Sequence, residues 1–294
     1  MNFKPMLSAD ASDVDLSTLQ YPLYLSPKLD GVRCLIWEGV AYSRNAKPIR
    51  NKFVQEWAEN MRHHNLDGEL IVGSPTDPLC LNATQSGVMS ISGQPDFRFH
   101  YFDAPAHPGD FLDRLSHVQR RPSVLNDPKC VEVIHILVYC EDDVRFWEQK
   151  YLELGYEGVM LRAPGGPYKH GRSTLREGYL MKLKQFQDGE ALVIGLEEGH
   201  VNSNELQRDE LGRAKRTTHQ ENLVPSGMVG TLICEHPTWG TLRVAPGTMP
   251  HSARKHFWEN PARIVGTTIH WRSFGYGVKD KPRFPRYYGI REDA

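Results

Sequence analysis

Six consecutive residues, Lys28-Leu29-Asp30-Gly31-Val32-Arg33, place an amine, a carboxylate and a guanidinium close together with a glycine among them. Each fixed position of such a KxDGxR pattern has a chance frequency of roughly one in fifteen to twenty. Four together arise by chance in well under about 1% of chains this long, so the pattern asks for a chemical reason. A lysine between two strands can be desolvated and flanked by cations, which lowers its pKa and leaves a nucleophilic amine. Gly31 allows a tight turn, and Arg33 can grip phosphate or ribose oxygens. The plain alternative is a surface hairpin that happens to carry Lys and Arg.

Other reactive types follow in order. Asp67-Gly68-Glu69 lies inside a predicted strand, where Asp and Gly are poor formers, so a functional reason outweighs a structural one. Phe102 precedes Asp103 in another short strand; an aromatic there is more often core. Glu157-Gly158 opens the strand EGVMLR, where a carboxylate could hold a divalent ion. From Arg162 to Lys184 stand Arg162, Lys169, Arg172, Arg176, Lys182 and Lys184 against one acid, Glu177. Lys182 and Lys184 alternate with Met181 and Leu183, so both amines share one strand face while the other is buried. Two lysines aimed at one place repel unless an anion lies between them. A triphosphate would serve; a solvated strand face is the alternative.

Several classes are excluded. No GxxxxGK[ST] occurs, so there is no P-loop, and Gly275-Tyr276-Gly277 lacks the third glycine of a dinucleotide fingerprint. Pro282-Arg283-Phe284-Pro285 matches PxxP but reads as a strand edge. No zinc spacing appears among the histidines, the His63-His64 pair included. Cys34, Cys80, Cys130, Cys140 and Cys234 are scattered, which reads as free thiols in a reducing cytoplasm. No apolar run of about 18 residues suggests a membrane span, and MNFKPMLSADASDVD lacks the apolar core of a secretory signal. The net charge of −1 conceals an asymmetry, because residues 1–160 carry −7 and residues 161–294 carry +6. A basic second half suits a polyanion.

The elements that must position these residues come next. Residues 22–44 read as three strands, 53–64 as a helix, 66–73 and 97–104 as strands. Asp110 caps a helix with Phe111, Leu112, Leu115 and Val118 on its apolar face. VEVIHILV (131–138) reads as one buried strand. Asp142 caps the following helix, with Val144, Trp147, Tyr151 and Leu154 on one face and Gly155 as its stop. This first part is α+β. After Lys184 come five short strands and one helix near 251–259, the pattern of a small barrel such as an OB-fold. The domains therefore run 1–186 and 187–294. Between the first two strands of the second, Gly199 to Gly227 is polar and too long for a plain connection.

Taken together, the chain resembles the covalent nucleotidyltransferase superfamily and looks most like the minimal ATP-dependent DNA ligases of large algal viruses, phages and some bacteria. The likeness runs from about Tyr24 to Asp293. KLDGVR is similar to the nucleophile motif, which implies Lys28 as the catalytic, adenylated residue. SRNAKPIRN resembles the segment whose arginine, here Arg44, holds the 5′-phosphate of a nick. By the same resemblance Glu69 of LDGEL contacts ribose, Phe102 of FHYFDA stacks on adenine, and Glu157 of EGVMLR is a metal-linked acid. YKHGRSTLREGYLMKLKQF is the most specific match and supplies Lys182 and Lys184 for the ATP phosphates. GMVGTL and KDKPRFPRYYGIRED resemble the OB domain and its C-terminal motif. The implied nucleotide-binding set is Ser26, Leu29, Arg33, Glu69, Phe102, Glu157, Lys182 and Lys184, with Glu69 and Glu157 as the metal set. Residues 199–227 resemble a hairpin latch that closes around duplex DNA. The implied DNA set is Arg44, Lys169, Arg172, Arg208, Arg213, Lys215, Arg216 and Arg283. The tail Arg291-Glu292-Asp293-Ala294 departs from the family in lacking the basic residue that often follows R-x-D.

The resemblance implies an α+β nucleotidyltransferase (adenylation) domain followed by a β-barrel OB-fold. It implies an ATP-dependent DNA ligase that seals 5′-phosphate/3′-hydroxyl nicks in duplex DNA through a lysyl-AMP intermediate. ATP would be the substrate and Mg²⁺ the metal, with Mn²⁺ as an alternative, in a cytoplasmic monomer whose partner is nicked duplex DNA. Three rivals stand beside it. An mRNA-capping guanylyltransferase shares KxDG but uses GTP; an RNA ligase lacks this C-terminal pattern; an end-binding module would have no use for the full set of reactive residues.

Overall fold

The computed structural model describes residues 4–120, 126–203, 206–208, 214–216, 223–273 and 281–291. The chain divides into two units, Met1–Gln185 and Phe186–Ala294. The first holds two five-stranded sheets. One is ordered β1 (Ala9–Asp10), β10 (Leu180–Lys184), β9 (Gly158–Arg162), β2 (Leu23–Pro27), β8 (Ile136–Val138). The other is ordered β4 (Val40–Tyr42), β3 (Val32–Trp37), β5 (Asp67–Val72), β6 (Phe97–Asp103), β7 (Cys130–Glu132). The described pairings are antiparallel except β1–β10 and β6–β7. Helices α1 (Lys52–Asn60), α2 (Cys80–Met89), α3 (Phe111–Gln119) and α4 (Glu141–Glu153) accompany them.

Side-chain alternation explains the first sheet. Leu23 and Leu25 of β2, Val159 and Leu161 of β9, and Met181 and Leu183 of β10 are all buried in one cluster with Val138 and Val144. The residues between them, Tyr24, Met160, Lys182 and Lys184, lie only half-buried on the opposite face. The second sheet buries Cys34, Ile36, Leu70, Phe97 and Phe99 under α1, whose Val54, Trp57 and Ala58 complete a second cluster. Trp57 meets Phe97 and Phe99 edge-on, at centroid distances of 5.1 and 5.3 Å.

Three local expectations change. VEVIHILV is not one buried strand: β7 pairs with β6 in one sheet and β8 with β2 in the other. The run is apolar because it crosses between two sheets, and Ile134 at the crossing is 59% exposed. The cap of α4 is Cys140, not Asp142; the helix starts at Glu141, and Asp143 accepts from Tyr139 N at 2.8 Å. Helix α2 is not foreshadowed by any pattern in the sequence. It carries no charged residue and no side-chain cap, and it is held by Cys80, Thr84 and Val88 at helical spacing on its buried side.

The second unit is an antiparallel sheet ordered β15 (Gly240–Val244), β14 (Leu223–His236), β11 (Gln187–Asn202), β16 (Thr268–Ser273), β17 (Arg286–Ile290), with helix α5 (His251–Glu259) packed on β14. Its core joins Val193, Val229, Leu232, Cys234, Val244, Ile264, Ile269 and Trp271. The edge strands β15 and β17 meet at one parallel bridge, Ala245–Arg286. There Ala245 N donates to Pro285 O (2.9 Å) and Tyr287 N to Ala245 O (2.8 Å). The sheet thus curls until its edges touch at a point, rather than closing along a ladder.

The polar stretch 199–227 is partly strand. β11 and β14 continue past the sheet as a two-stranded ribbon, paired from Glu198–Val229 to Asn202–Leu223. Beyond it β12 (Leu206–Arg208) pairs antiparallel with β13 (Ala214–Arg216). At the ribbon's root the register shifts on either side of Glu198. Gly199 and Gly230 face each other there so closely that a Cβ on Gly230 would lie 2.4 Å from the Gly199 Cα. Only a residue without a side chain fits.

Candidate active site

Lys28 follows β2 directly, and its N–H donates to Gly158 O at 2.8 Å, so the strand pairing with β9 carries it to Glu157. Its Nζ donates to Glu157 Oε2. The other oxygen, Oε1, lies 3.5 Å from Lys184 Nζ at the end of β10. One carboxylate therefore sits between two ammonium groups, all three largely buried. The cationic surroundings expected of Lys28 are not what the structure shows. Burial pushes its pKa down, but the carboxylates of Glu157, Glu69 and Asp30 outweigh burial and hold it above the ordinary lysine value. Lys184 is the amine that is lowered, to about 8, by burial against the pull of Glu157 and with the push of Lys182 and Lys28.

Gly31 is required for close approach. Its N–H donates to Glu69 Oε2 at 3.0 Å, and a Cβ there would come within 2.4 Å of Leu70 O. Glu69 is half-buried beneath it, and the loss of solvent around its carboxyl raises the pKa. Arg33 is locked in a fork with Asp67 (Nε–Oδ1 2.7 Å, Nη2–Oδ2 2.6 Å) and also donates to Met6 O at 3.0 Å. Tyr168 donates to the same Asp67 at 2.6 Å. Phe102 has the Arg33 guanidinium 4.7 Å and the Arg162 guanidinium 5.4 Å from its ring centre. It packs with Leu29, Ile71, Cys80 and Val133 in a small cluster. Ser26 is buried, opposite Met160 of β9. Lys182 is paired with Asp10 at 3.0 Å.

The structure thus brings Lys28, Glu157, Lys184, Glu69, Gly31, Arg33 and Phe102 into linked contacts. The residues assigned to DNA belong to both units. Arg44 is exposed in the turn closed by Ser43 N to Lys47 O at 2.8 Å. Lys169 grips both Glu177 oxygens at 2.7 Å, and Arg172 donates to Ser8 O at 2.6 Å. Arg208, Lys215 and Arg216 belong to the β12–β13 pair, Arg283 lies beside the Phe284 ring at 5.6 Å, and Arg213 lies outside the described residues, as do Glu292, Asp293 and Ala294.

Sequence reasoning left unassigned the acids that brace this site. Asp67 was visible only as part of DGE. Asp103, fully buried, takes Arg114 (Nε–Oδ1 2.7 Å) and Arg162, which hold its carboxyl below the usual range against burial. A single Asp ending an aromatic strand was the signal available for it. Asp10 gave none.

Among the described residues no three His, Cys, Asp or Glu side chains cluster as metal ligands, and no helix is long and apolar enough to cross a membrane. Two carboxylates nonetheless suit Mg²⁺, which keeps most of its waters and takes phosphate oxygens as ligands.

Residues 5–184 match the family model for the ATP dependent DNA ligase domain, and residues 224–291 match that for the DNA ligase OB-like domain. A DNA ligase of Archaeoglobus fulgidus is 25% identical over 175 residues; the match covers 53% of this chain but only 32% of that protein. Among solved structures, a Lig E DNA ligase superposes with a TM-score of 0.72 at 23% identity, covering 98% of this chain and 99% of the other. Chlorella virus DNA ligase-adenylate superposes with a TM-score of 0.56 at 27% identity, over 100% of both chains.

Proposed function

Because the chain belongs to the ATP-dependent DNA ligase family, we propose that it seals nicks in duplex DNA through AMP carried on Lys28. Its fold is that family's, an α+β adenylation domain with an OB domain after it. The observation that carries the reading is the Lys28–Glu157–Lys184 chain of contacts, a nucleophile, an acid and a phosphate-binding cation linked in one row.

The chemistry follows from those groups. Lys28 Nζ attacks the α-phosphorus of ATP; a P–N bond forms, the bond to pyrophosphate breaks, and pyrophosphate leaves with the electron pair. Lys28 becomes nucleophilic when its ammonium passes a proton to water, and burial together with the Lys184 ammonium favours the neutral amine once Glu157 is engaged elsewhere. Lys182 and Lys184 neutralise the phosphates, Gly31 and Glu69 fix the turn that presents the amine, and Phe102 offers a ring for the base. Mg²⁺, held by Glu157 with Glu69 behind it, would supply charge neutralisation on the leaving group. A 5′-phosphate oxygen at the nick next takes AMP from Lys28, and the 3′-hydroxyl displaces AMP to form the phosphodiester.

Incubation with α-labelled ATP or GTP, followed by a denaturing gel, tests the reading. Label from ATP alone, released on adding a nicked DNA duplex with appearance of the sealed strand, is the expected result. Label from GTP would make it a capping-type transferase, and sealing confined to RNA nicks an RNA ligase.

The stretch 199–227 is the proposed DNA clamp. Replacing residues 204–222 with a short Gly-Ser linker should leave labelling of Lys28 near wild type. Nick binding and sealing should fall by about tenfold or more. The salt dependence should become shallower, by about one in log–log slope for each DNA phosphate that the hairpin no longer neutralises. Unchanged nick affinity and slope would reduce the stretch to an inert insertion.

A further inference from the structure

Strand β1 is the N-terminal segment laid parallel on the outer edge of β10, with Ala9 opposite Met181 and Asp10 opposite Lys182. Ala11 N donates to Lys182 O at 3.0 Å. The two oxygens of Asp10 face different ways. Oδ1 accepts from Ser12 Oγ at 2.7 Å and from Ser12 N at 3.3 Å, which fixes the carboxylate to its own turn. Oδ2 lies 3.0 Å from Lys182 Nζ. Ser12 Oγ in addition accepts from Lys184 N at 3.3 Å, so the turn is clamped to the strand that carries both lysines. The acid is half exposed and stays beside Lys182 whether or not that amine turns away.

A lysine reserved for a polyphosphate thus already has a tethered anion. We propose that Asp10 acts as an internal substitute for phosphate, pairing with Lys182 in the absence of nucleotide and competing with pyrophosphate for it. Asp10 is a positioning residue acting through Lys182, and the inference rests on the reading of Lys182 as a phosphate ligand. While ATP is bound, Lys182 turns to the phosphates and the anchored Asp10 carboxylate repels them. After the α-phosphorus has moved to Lys28, Asp10 reclaims Lys182 and hastens loss of pyrophosphate. The reverse step is thereby disfavoured; in it a pyrophosphate oxygen attacks the α-phosphorus, the P–N bond breaks, and Lys28 Nζ keeps the electron pair and takes a proton. Burial opposes ionisation of Asp10, but its bonds with Ser12 and Lys182 hold its pKa below the usual value, so the competing charge persists at neutral pH.

The test compares wild type with Asp10→Asn, Asp10→Ala and Lys182→Ala. Two constants are read: KM for ATP in lysyl-AMP formation, and the pyrophosphate concentration that half-saturates discharge of preloaded, labelled lysyl-AMP. Thermal midpoints are recorded alongside. Both Asp10 variants should lower both constants by about two- to fivefold, the gain expected when one partly exposed competing charge is removed. A merely structural role for Asp10 would lower the midpoint without tightening either. Lys182→Ala should raise both constants. Unchanged or raised constants in the Asp10 variants, with Lys182→Ala weakened, would overturn the inference and leave Lys182 as a phosphate ligand. Constants unmoved by Lys182→Ala would overturn both.

Discussion

Lys28→Ala is expected to leave no AMP bound to the denatured protein after incubation with labelled ATP. The reason is stricter than the presence of a motif, because a second buried amine stands by. Lys184 shares the Glu157 carboxylate and is held near 8, whereas Lys28 is held above the ordinary lysine value. By proton availability alone Lys184 would be the nucleophile. Geometry argues otherwise: Lys28 is presented on the turn that Gly31 and Glu69 stabilise, while Lys184 lies at the end of an edge-braced strand. Removing Lys28 also takes away one of the two ammonium groups that share Glu157 and one cation beside Lys184, both of which raise the Lys184 pKa. The variant should therefore fold, stay unlabelled at neutral pH, and retain weak sealing of a nick that already carries AMP. Label that persists in Lys28→Ala and vanishes in Lys184→Ala would transfer the role to Lys184.

The second large effect is expected from Glu157→Ala. Two consequences oppose each other. The variant strips the carboxylate that raises the Lys28 pKa, so the amine loses its proton more readily and the limb of the adenylation profile that rises with pH moves to lower pH. It also strips two largely buried ammonium groups of the carboxylate that lies between them, and it removes the acid proposed to hold the metal. Removing one such charge-stabilising group costs on the order of 10²-fold in rate. Positioning outweighs basicity by that measure: maximal adenylation should drop about a hundredfold while the pH limb shifts acidward. Rates that stay at wild-type level through a Mg²⁺ titration would remove Glu157 from the metal role, and a limb shifted to higher pH would contradict the ion pair itself.

These outcomes bear on what could be seen from residues alone. The shared face of Lys182 and Lys184 was legible because alternation is local, two residues apart on one strand. Helix α5 and the presence of three strands within 22–44 were legible too, each from a pattern inside its own segment. The sign of the Lys28 shift was not, since the dominant acid, Glu157, lies 129 positions away. Asp10 is 172 positions from Lys182 and sits in a segment with no pattern of its own, so nothing in its neighbourhood announced the pairing. The break in 131–138 was hidden because apolarity reports burial, and a chain that crosses from one sheet to another is apolar on both sides of the crossing. The fork between Arg33 and Asp67 was half visible: both residues stood in recognisable segments, but only the β3–β5 register, which pairs Leu35 with Asp67 and Arg33 with Glu69, brings them together.

The glycine pair at the root of the β11–β14 ribbon behaves as the pivot of a lever. Strands advance about 3.3 Å per residue, so a change of roughly ten degrees where Gly199 meets Gly230 displaces a point six residues outward by several ångströms. The course of the ribbon past the sheet is thus set where two backbones touch without side chains. A methyl group on Gly230 has nowhere to go but between the strands, prying them apart at the fulcrum. Variation at this point would alter where the hairpin reaches rather than what it carries.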